Sequence, residues 1–192
     1  MLENLLKSIK DTLFTEEEII GSYKEGVLVA VNVCAVSVLS KLLLTGSQEK
    51  LISSTKKKKY RPMVVIEKNN IYMEVLFLST NRKYHTFDEI IFDISRCNFF
   101  AKNCFGINPR EECYIFSKSY KQNYKGTKIK HRRIFHLPLE LIIKLERYEK
   151  LPNFKRLKNI CQIKEGDVLI KKCATCDTQY LTEISKYIQG EG

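Results

Sequence analysis

Several signatures of membrane and secreted proteins are missing from this chain of 192 residues. The N-terminus has no charged segment followed by an apolar one, which a secretion signal requires. The apolar run at residues 26–44 is interrupted by Asn32, Ser37, Ser40 and Lys41. It therefore predicts a buried strand and a second apolar element rather than a transmembrane span. No internal repeat is present. These absences favour a cytoplasmic protein with one core and no membrane partner.

The seven cysteines are odd in number and irregular in spacing, so they give no disulfide framework. This pattern predicts mostly free, buried thiols in a reducing cytoplasm. Cys173 and Cys176 form half of a tetrahedral zinc site, but a second pair at matching spacing is missing. No thioredoxin-like βαβ pattern surrounds them. We expect two reduced thiols near the start of a helix and neither a metal nor a cofactor, with zinc as the alternative.

Positive charge is in excess, with 33 basic and 22 acidic residues and a net charge of +11. Such an excess favours a polyanionic partner, namely RNA, DNA, an acidic protein or an anionic membrane. Abundant lysine from an AT-rich genome is the alternative explanation. No helix-turn-helix and no paired zinc motif is found, which disfavours a DNA-binding regulator.

Two basic segments are candidates for RNA contact. Residues 56–59 are four lysines, and the basic tract, residues 118–133, has no acidic residue. Lysines neutralise phosphates, and the interleaved tyrosines can stack on unpaired bases. The alternative for both segments is a solvated, charged loop. The candidate RNA-binding residues are Lys56, Lys57, Lys58, Lys59, Lys118, Tyr120, Lys121, Tyr124, Lys128, Lys130, Arg132 and Arg133.

Hydrophobic patterning predicts short strands between helical ends. The predicted strands are residues 27–31, 61–66, 71–78, 90–94, 113–116, 134–135 and 167–170. Asn69 and Asn70 suit a tight hairpin between the second and third of these strands. The predicted helices are residues 2–13, 138–148 and 179–188. Residues 36–44 fit a strand or a helix equally well.

Two strand ends carry side chains that suggest chemistry. Arg61 precedes one apolar strand, and another strand ends in Ser79 and Thr80. An arginine and a threonine at neighbouring strand ends can hold one phosphodiester, because a guanidinium fork matches phosphate oxygens. The alternative is an arginine before a turn proline and an ordinary strand-end hydroxyl.

The order of these elements resembles the PemK/MazF family of toxin endoribonucleases. The resemblance is carried by residues 23–29, by the Arg-Pro strand at 61–66 and by the strand at 75–80. The late strand and the closing helix of the family correspond to residues 113–117 and 137–148. Leu78 departs from the family, which usually has proline at that point. Residues 81–112 are also longer than the family pattern.

The resemblance implies an α+β fold, a small SH3-like (PemK/MazF-type) antiparallel β-barrel with a closing helix and helical additions at both ends. Residues 1–20 would be an N-terminal helical extension, 21–150 the barrel domain and 151–192 a C-terminal strand and helix extension. The implied activity is metal-independent cleavage of single-stranded RNA, which leaves a 2′,3′-cyclic phosphate and a 5′-hydroxyl. The setting would be a toxin–antitoxin or phage-defence system.

By the same resemblance, Arg61 would contact the scissile phosphate and Thr80 would help to hold it, with Ser79 as its substitute. Arginine is a poor general base because its pKa exceeds about 12, so its role would be electrostatic. Histidine is the usual group for proton transfer near neutral pH, and His85 lies closest in sequence to Thr80. His131 and His136 are the other candidates.

A narrower resemblance connects the chain with the toxin-like subunit of CRISPR-associated Lon protease and sigma-factor systems. The implied partners are single-stranded RNA, including mRNA, an acidic neutralising protein or segment, and a second copy of the chain. A catalytically inactive barrel that binds a protein or nucleic acid is the alternative function.

Overall fold

The computed structural model describes residues 1–6, 15–40, 60–79, 90–101, 104, 113–115, 133–152 and 154–190. These residues form a mixed α+β fold in which several helices pack on a curled antiparallel sheet, a half-barrel. The strands are β1 (Val27–Asn32), β2 (Tyr60–Lys68), β3 (Tyr72–Ser79), β4 (Ile91–Phe92), β5 (Cys97–Phe99), β6 (Cys113–Ile115), β7 (Ile134–Pro138) and β8 (Ile170–Cys176). The helices are α1 (Glu16–Gly21), α2 (Val33–Ser40), α3 (Leu139–Glu146), α4 (Phe154–Cys161) and α5 (Thr178–Gly190).

The order of strands across the sheet is β4, β6, β3, β2, β1, β8 and β5, and β7 also pairs with β3. Strand β6 pairs with β3 at Leu78 and Ser79, whereas β7 pairs with residues 72–76 of β3. The two strands therefore lie in line along one edge of β3. In the sequence, residues 116–132 separate them.

Alternation along the strands gives the sheet two buried faces. On one face, Val29, Met63 and Phe77 pack with side chains of α1 to α4; we call this the four-helix face. On the other, Leu28 and Val64 pack with α5; we call this the α5 face. Because both faces are covered, β1 is buried at every position, which explains its continuous apolar sequence.

Most predicted elements between residues 27 and 148 are confirmed. The hairpin forms as β2 and β3, with the side chain of Asn69 accepting hydrogen bonds in the turn. The predicted apolar stripe of α3 is buried, including Leu141 and Leu145. Residues 33–40, which include part of the undecided run, form α2. Helix α4 was not predicted, although Phe154, Leu157, Ile160 and Cys161 recur at helical spacing. Strand β5 was not predicted because it has only three residues.

The prediction of mostly free thiols is wrong. Six of the seven cysteines form three disulfide bonds, Cys34–Cys161, Cys97–Cys176 and Cys104–Cys173. Partners in these pairs lie 69 or more residues apart in the sequence, so spacing alone gave no sign of them. The predicted position of Cys173 and Cys176 near the start of a helix is confirmed, because β8 ends at Cys176 and α5 begins at Thr178.

The terminal regions differ in how they join the sheet. Residues 2–6 are helical as predicted, whereas residues 7–13 of that predicted helix lie outside the described residues. The leucines at positions 2, 5 and 6 are exposed rather than buried. The region 151–192 contributes β8, which lies inside the sheet between β1 and β5.

Among the described residues, no helix combines the length and apolar character needed to cross a membrane.

Candidate functional site

Arg61 and Ser79 meet at the end of the sheet where β2 begins and β3 finishes. Arg61 lies opposite Val31 on β1, and two residues further along β2, Met63 pairs with Phe77 of β3. The Nη1 atom of Arg61 donates a hydrogen bond of 3.2 Å to the Oγ atom of Ser79. Both residues are buried, at 3% and 1% exposure. The guanidinium of Arg61 thus lies inside the protein, which excludes the alternative of a surface arginine before a turn.

Arg133 is a second buried arginine at the same end of the sheet, directly before β7. It is 3% exposed, and its Nη1 atom donates a 3.3 Å hydrogen bond to the main-chain oxygen of Ile115. Ile115 pairs with Leu78, next to Ser79. Arg133 therefore links β6 to the start of β7, the two strands that residues 116–132 separate in the sequence. Its predicted contact with RNA stays a prediction.

Tyr114 continues the row of side chains that Arg61 and Ser79 begin. It pairs with Ser79 on one side and with Ile91 of β4 on the other. Directly opposed residues of an antiparallel pair point to the same face of the sheet. Burial falls along this row, since Tyr114 is buried whereas Ile91 is 54% exposed. Sequence reasoning missed Tyr114, because the strand pattern at 113–116 gives no sign of its neighbours.

We refer to Arg61, Ser79, Tyr114 and Arg133 together as the Arg end of the sheet. Alternation puts Arg61 on the same face as Met63, and Ser79 on the same face as Phe77, which is the four-helix face. A buried guanidinium interacts more strongly with an anion than an exposed one, because the effective dielectric constant is lower. Two guanidinium groups and two hydroxyls suit the oxygens of a phosphodiester.

Most of the other predicted site residues lie outside the described residues. They are Thr80, His85, Lys56, Lys57, Lys58, Lys59, Lys118, Tyr120, Lys121, Tyr124, Lys128, Lys130 and Arg132. The described residues that flank their segments are Tyr60, Ser79, Ile115 and Arg133. All four belong to the Arg end or lie beside it. The fold thus brings the attachment points of three separate segments to one end of the sheet.

The candidate His136 lies away from the Arg end. It is on β7 opposite Glu74, and its Nε2 atom is 3.1 Å from Oε1 of that carboxylate. Glu74 precedes Ser79 by five residues on β3, a distance of roughly 17 Å along an extended strand. His136 is therefore an exposed partner of Glu74. His131 lies outside the described residues.

A cleft of about 430 Å³ lies elsewhere, between the helical residues 2–6 and residues 145–170. The carboxylates of Glu3, Glu146 and Asp167 line it, so it does not suit a polyanion. The hydroxyl of Tyr23 donates to Glu146. Burial, followed by the charge of Glu146, raises the pKa of Tyr23 well above its usual value. We assign this cleft no part in RNA binding.

Comparison with protein-family models, with curated proteins and with solved structures finds no match for this chain. The features of the chain that bear on function are the chemistry of the Arg end and the basic segments attached to it. The four residues of the Arg end span positions 61 to 133, and strand pairing makes them neighbours.

Proposed function

We propose that this protein is a MazF-like, metal-independent endoribonuclease that cleaves single-stranded RNA. One observation carries the proposal. Arg61, Arg133 at the end of the basic tract and Ile115 shortly before that tract meet at the end of β3, although they are far apart in sequence. A cation for the scissile phosphate and a basic segment for the RNA backbone would thereby share one site.

In this proposal the ribose 2′-hydroxyl attacks the adjacent phosphorus and the bond to the 5′-oxygen breaks. Negative charge builds up on the non-bridging oxygens, and the guanidinium of Arg61 stabilises it. Ser79 orients that guanidinium through its 3.2 Å hydrogen bond. Thr80, which follows Ser79 directly in the sequence, would hold the phosphate from the strand end.

The curled antiparallel sheet supports the finer proposal of an SH3-like, PemK/MazF-type barrel. The proposed setting is a cytoplasmic toxin–antitoxin or phage-defence system, with CRISPR-associated systems as the narrower proposal. An acidic protein or segment would neutralise the basic tract, and a second copy of the chain would complete a dimer. These partners are proposed from the resemblance and from the net charge of +11.

The proposal is tested by expressing the full chain and its Arg61→Lys variant in cells and mapping new 5′-hydroxyl RNA ends. Lysine keeps the charge but loses the bidentate fork, so we expect cleavage to fall by about 10²–10³-fold. Arg156→Lys is the matched control, since Arg156 is exposed on α4. Purified wild-type protein should still cleave RNA in the presence of EDTA, because the proposed mechanism needs no metal.

Absence of new ends with the wild-type chain, or equal cleavage by the wild type and Arg61→Lys, would contradict the assignment. Thermal melting of both variants checks that lost activity is not lost folding. Steeply salt-dependent RNA binding without cleavage would instead support the alternative, an inactive barrel that binds a partner. The burial of Arg61 and Arg133 favours that alternative, because each bonds to a group within the sheet.

A further inference from the structure

We infer that Tyr114 is the general acid that protonates the 5′-oxygen of the leaving ribose, because strand pairing aligns it with Ser79 and Arg61. This inference rests on the proposed endoribonuclease function and adds a proton donor to it. Neither the sequence motifs nor the resemblance points to this residue.

The first argument is the distance across the sheet. Tyr114 pairs with Ser79, and Ser79 accepts the hydrogen bond of Arg61. Neighbouring strands lie about 4.8 Å apart, so the backbones of Arg61 and Tyr114 are separated by roughly 10 Å. Their long side chains start from the same face and can contact two oxygens of one phosphodiester.

The second argument is access from solvent. Along the row of opposed residues, Arg61, Ser79 and Tyr114 are buried, at 3%, 1% and 6% exposure, whereas Ile91, next to Tyr114, is 54% exposed. Tyr114 is therefore the member of the Arg end that lies nearest to the exposed side of the sheet, at β4. A ribose that approaches Arg61 from that side meets the phenol of Tyr114 next to the scissile phosphate.

The third argument is chemical. A phenol is protonated at neutral pH, as a general acid must be, whereas a guanidinium gives up its proton far less readily. Tyr60 is a poor alternative because it lies on β2 next to Arg61, so its side chain leaves the opposite face of the strand. Its hydroxyl donates a 2.6 Å hydrogen bond to the main-chain oxygen of Val168.

Besides Tyr114, the reaction needs only water as a proton acceptor and donor. The 2′-hydroxyl loses its proton to water as its oxygen bonds to phosphorus, and the bond from phosphorus to the 5′-oxygen breaks. The departing 5′-oxygen takes the hydroxyl proton of Tyr114 and becomes a 5′-hydroxyl. The phenolate then regains a proton from water, so the products are a 2′,3′-cyclic phosphate and a 5′-hydroxyl.

The test compares Tyr114→Phe with the wild type and with Tyr187→Phe, a control on the exposed side of α5. Single-turnover cleavage is measured on an RNA oligonucleotide that contains a mapped cleavage position. The same RNA with a bridging 5′-sulfur at that position has a leaving group that needs no protonation. Binding is measured with a 2′-deoxy version that cannot be cleaved.

We expect Tyr114→Phe to slow cleavage of the oxygen-bridged RNA by about 10²–10⁴-fold. The 5′-sulfur RNA should be cleaved at close to the wild-type rate, and binding of the 2′-deoxy RNA should be unchanged. A merely structural tyrosine would lower both cleavage rates together, and that result would overturn the inference. So would equal cleavage of the oxygen-bridged RNA by Tyr114→Phe and the wild type. If the wild-type chain cleaves no RNA, the proposed endoribonuclease function is wrong. That result differs from the results that contradict only the role of Tyr114.

Discussion

At one end of the sheet only three residues, 69–71, connect β2 to β3, whereas at the other end residues 41–59 lie between α2 and β2. We call the first the turn end. There the Oδ1 atom of Asn69 accepts from the amides of Ile71 and Tyr72 at 2.7 and 2.9 Å. Asp177 alone connects β8 to α5. The side chain of Asn69 thus satisfies two main-chain amides within three residues of itself in the sequence.

The Arg end shows the opposite pattern. Arg61 and Arg133 each bond to a group 18 residues away in the sequence, and both are buried. Burial of a cation costs free energy that only good partners offset. The turn end thus adds to the stability of the fold, whereas the two buried guanidinium groups of the Arg end lower it unless their partners offset the cost.

The largest expected effect is the loss of stability on removing a disulfide. One of the three disulfides lies near each end of the sheet. Cys97–Cys176 lies at the turn end and Cys34–Cys161 near the Arg end. Under non-reducing conditions, Cys176→Ala and Cys34→Ala should each lower the free energy of unfolding by about 2–4 kcal/mol. Urea denaturation measures this loss. A reductant should remove the difference from the wild type, and an unchanged midpoint without reductant would contradict the pairing.

A nearly equal loss is expected at Gly26 of the turn end. Its φ of +90° disfavours other residues, and an added Cβ would lie 2.8 Å from the main-chain oxygen of Cys176. Gly26→Ala should therefore cost about 3 kcal/mol in unfolding free energy. Gly21→Ala is the matched control, because an added Cβ there meets no atom within 4 Å among the described residues. Equal denaturation midpoints for Gly26→Ala and Gly21→Ala would contradict the conclusion that the backbone at position 26 requires glycine.

A smaller stability change, but a larger change in activity, is expected at Ser79 of the Arg end. Ser79→Ala removes the acceptor at 3.2 Å from Arg61, which should cost about 1–2 kcal/mol. RNA cleavage should fall about tenfold or more as the guanidinium loses its orientation. The control is Ser185→Ala, since the Oγ of Ser185 is buried with no hydrogen-bond partner in the described part of the chain. A loss of cleavage in both variants would contradict a specific role for Ser79.

The smallest effect at neutral pH concerns Tyr23, which lies just before Gly26. Its raised pKa means that the folded protein favours the neutral phenol. Stability from this group is fully present below pH 10, the usual pKa, and is lost as the pH rises further. Urea midpoints at pH 8 and 11 should therefore differ less for Tyr23→Phe than for the wild type. If the two midpoints differ by the same amount in Tyr23→Phe and in the wild type, groups other than Tyr23 cause the loss of stability at alkaline pH. The control variant Tyr187→Phe should behave like the wild type.

The sequence predicted the strands whose apolar residues are contiguous and whose turns have distinctive residues, such as β1 and the β2–β3 hairpin. It also predicted that Arg61 and Ser79 belong to one site; the structure joins them by a 3.2 Å hydrogen bond, and their role stays a prediction. Tyr114 and the burial of Arg133 could not be predicted, since they depend on which strands pair with β3. The cysteine pairs were missed for the same reason, because register rather than spacing brings these thiols together.

Strand β8 has a consequence for how the chain folds during synthesis. Val31 of β1 pairs with Ile170, which leaves the ribosome about 140 residues later. Until then, one side of β1 has only unsatisfied main-chain groups, an open edge that invites pairing with other chains. The nascent sheet is therefore most open to pairing with other chains in the period before β8 is made. Slow translation between β7 and β8 would lengthen the period of exposure and favour aggregation.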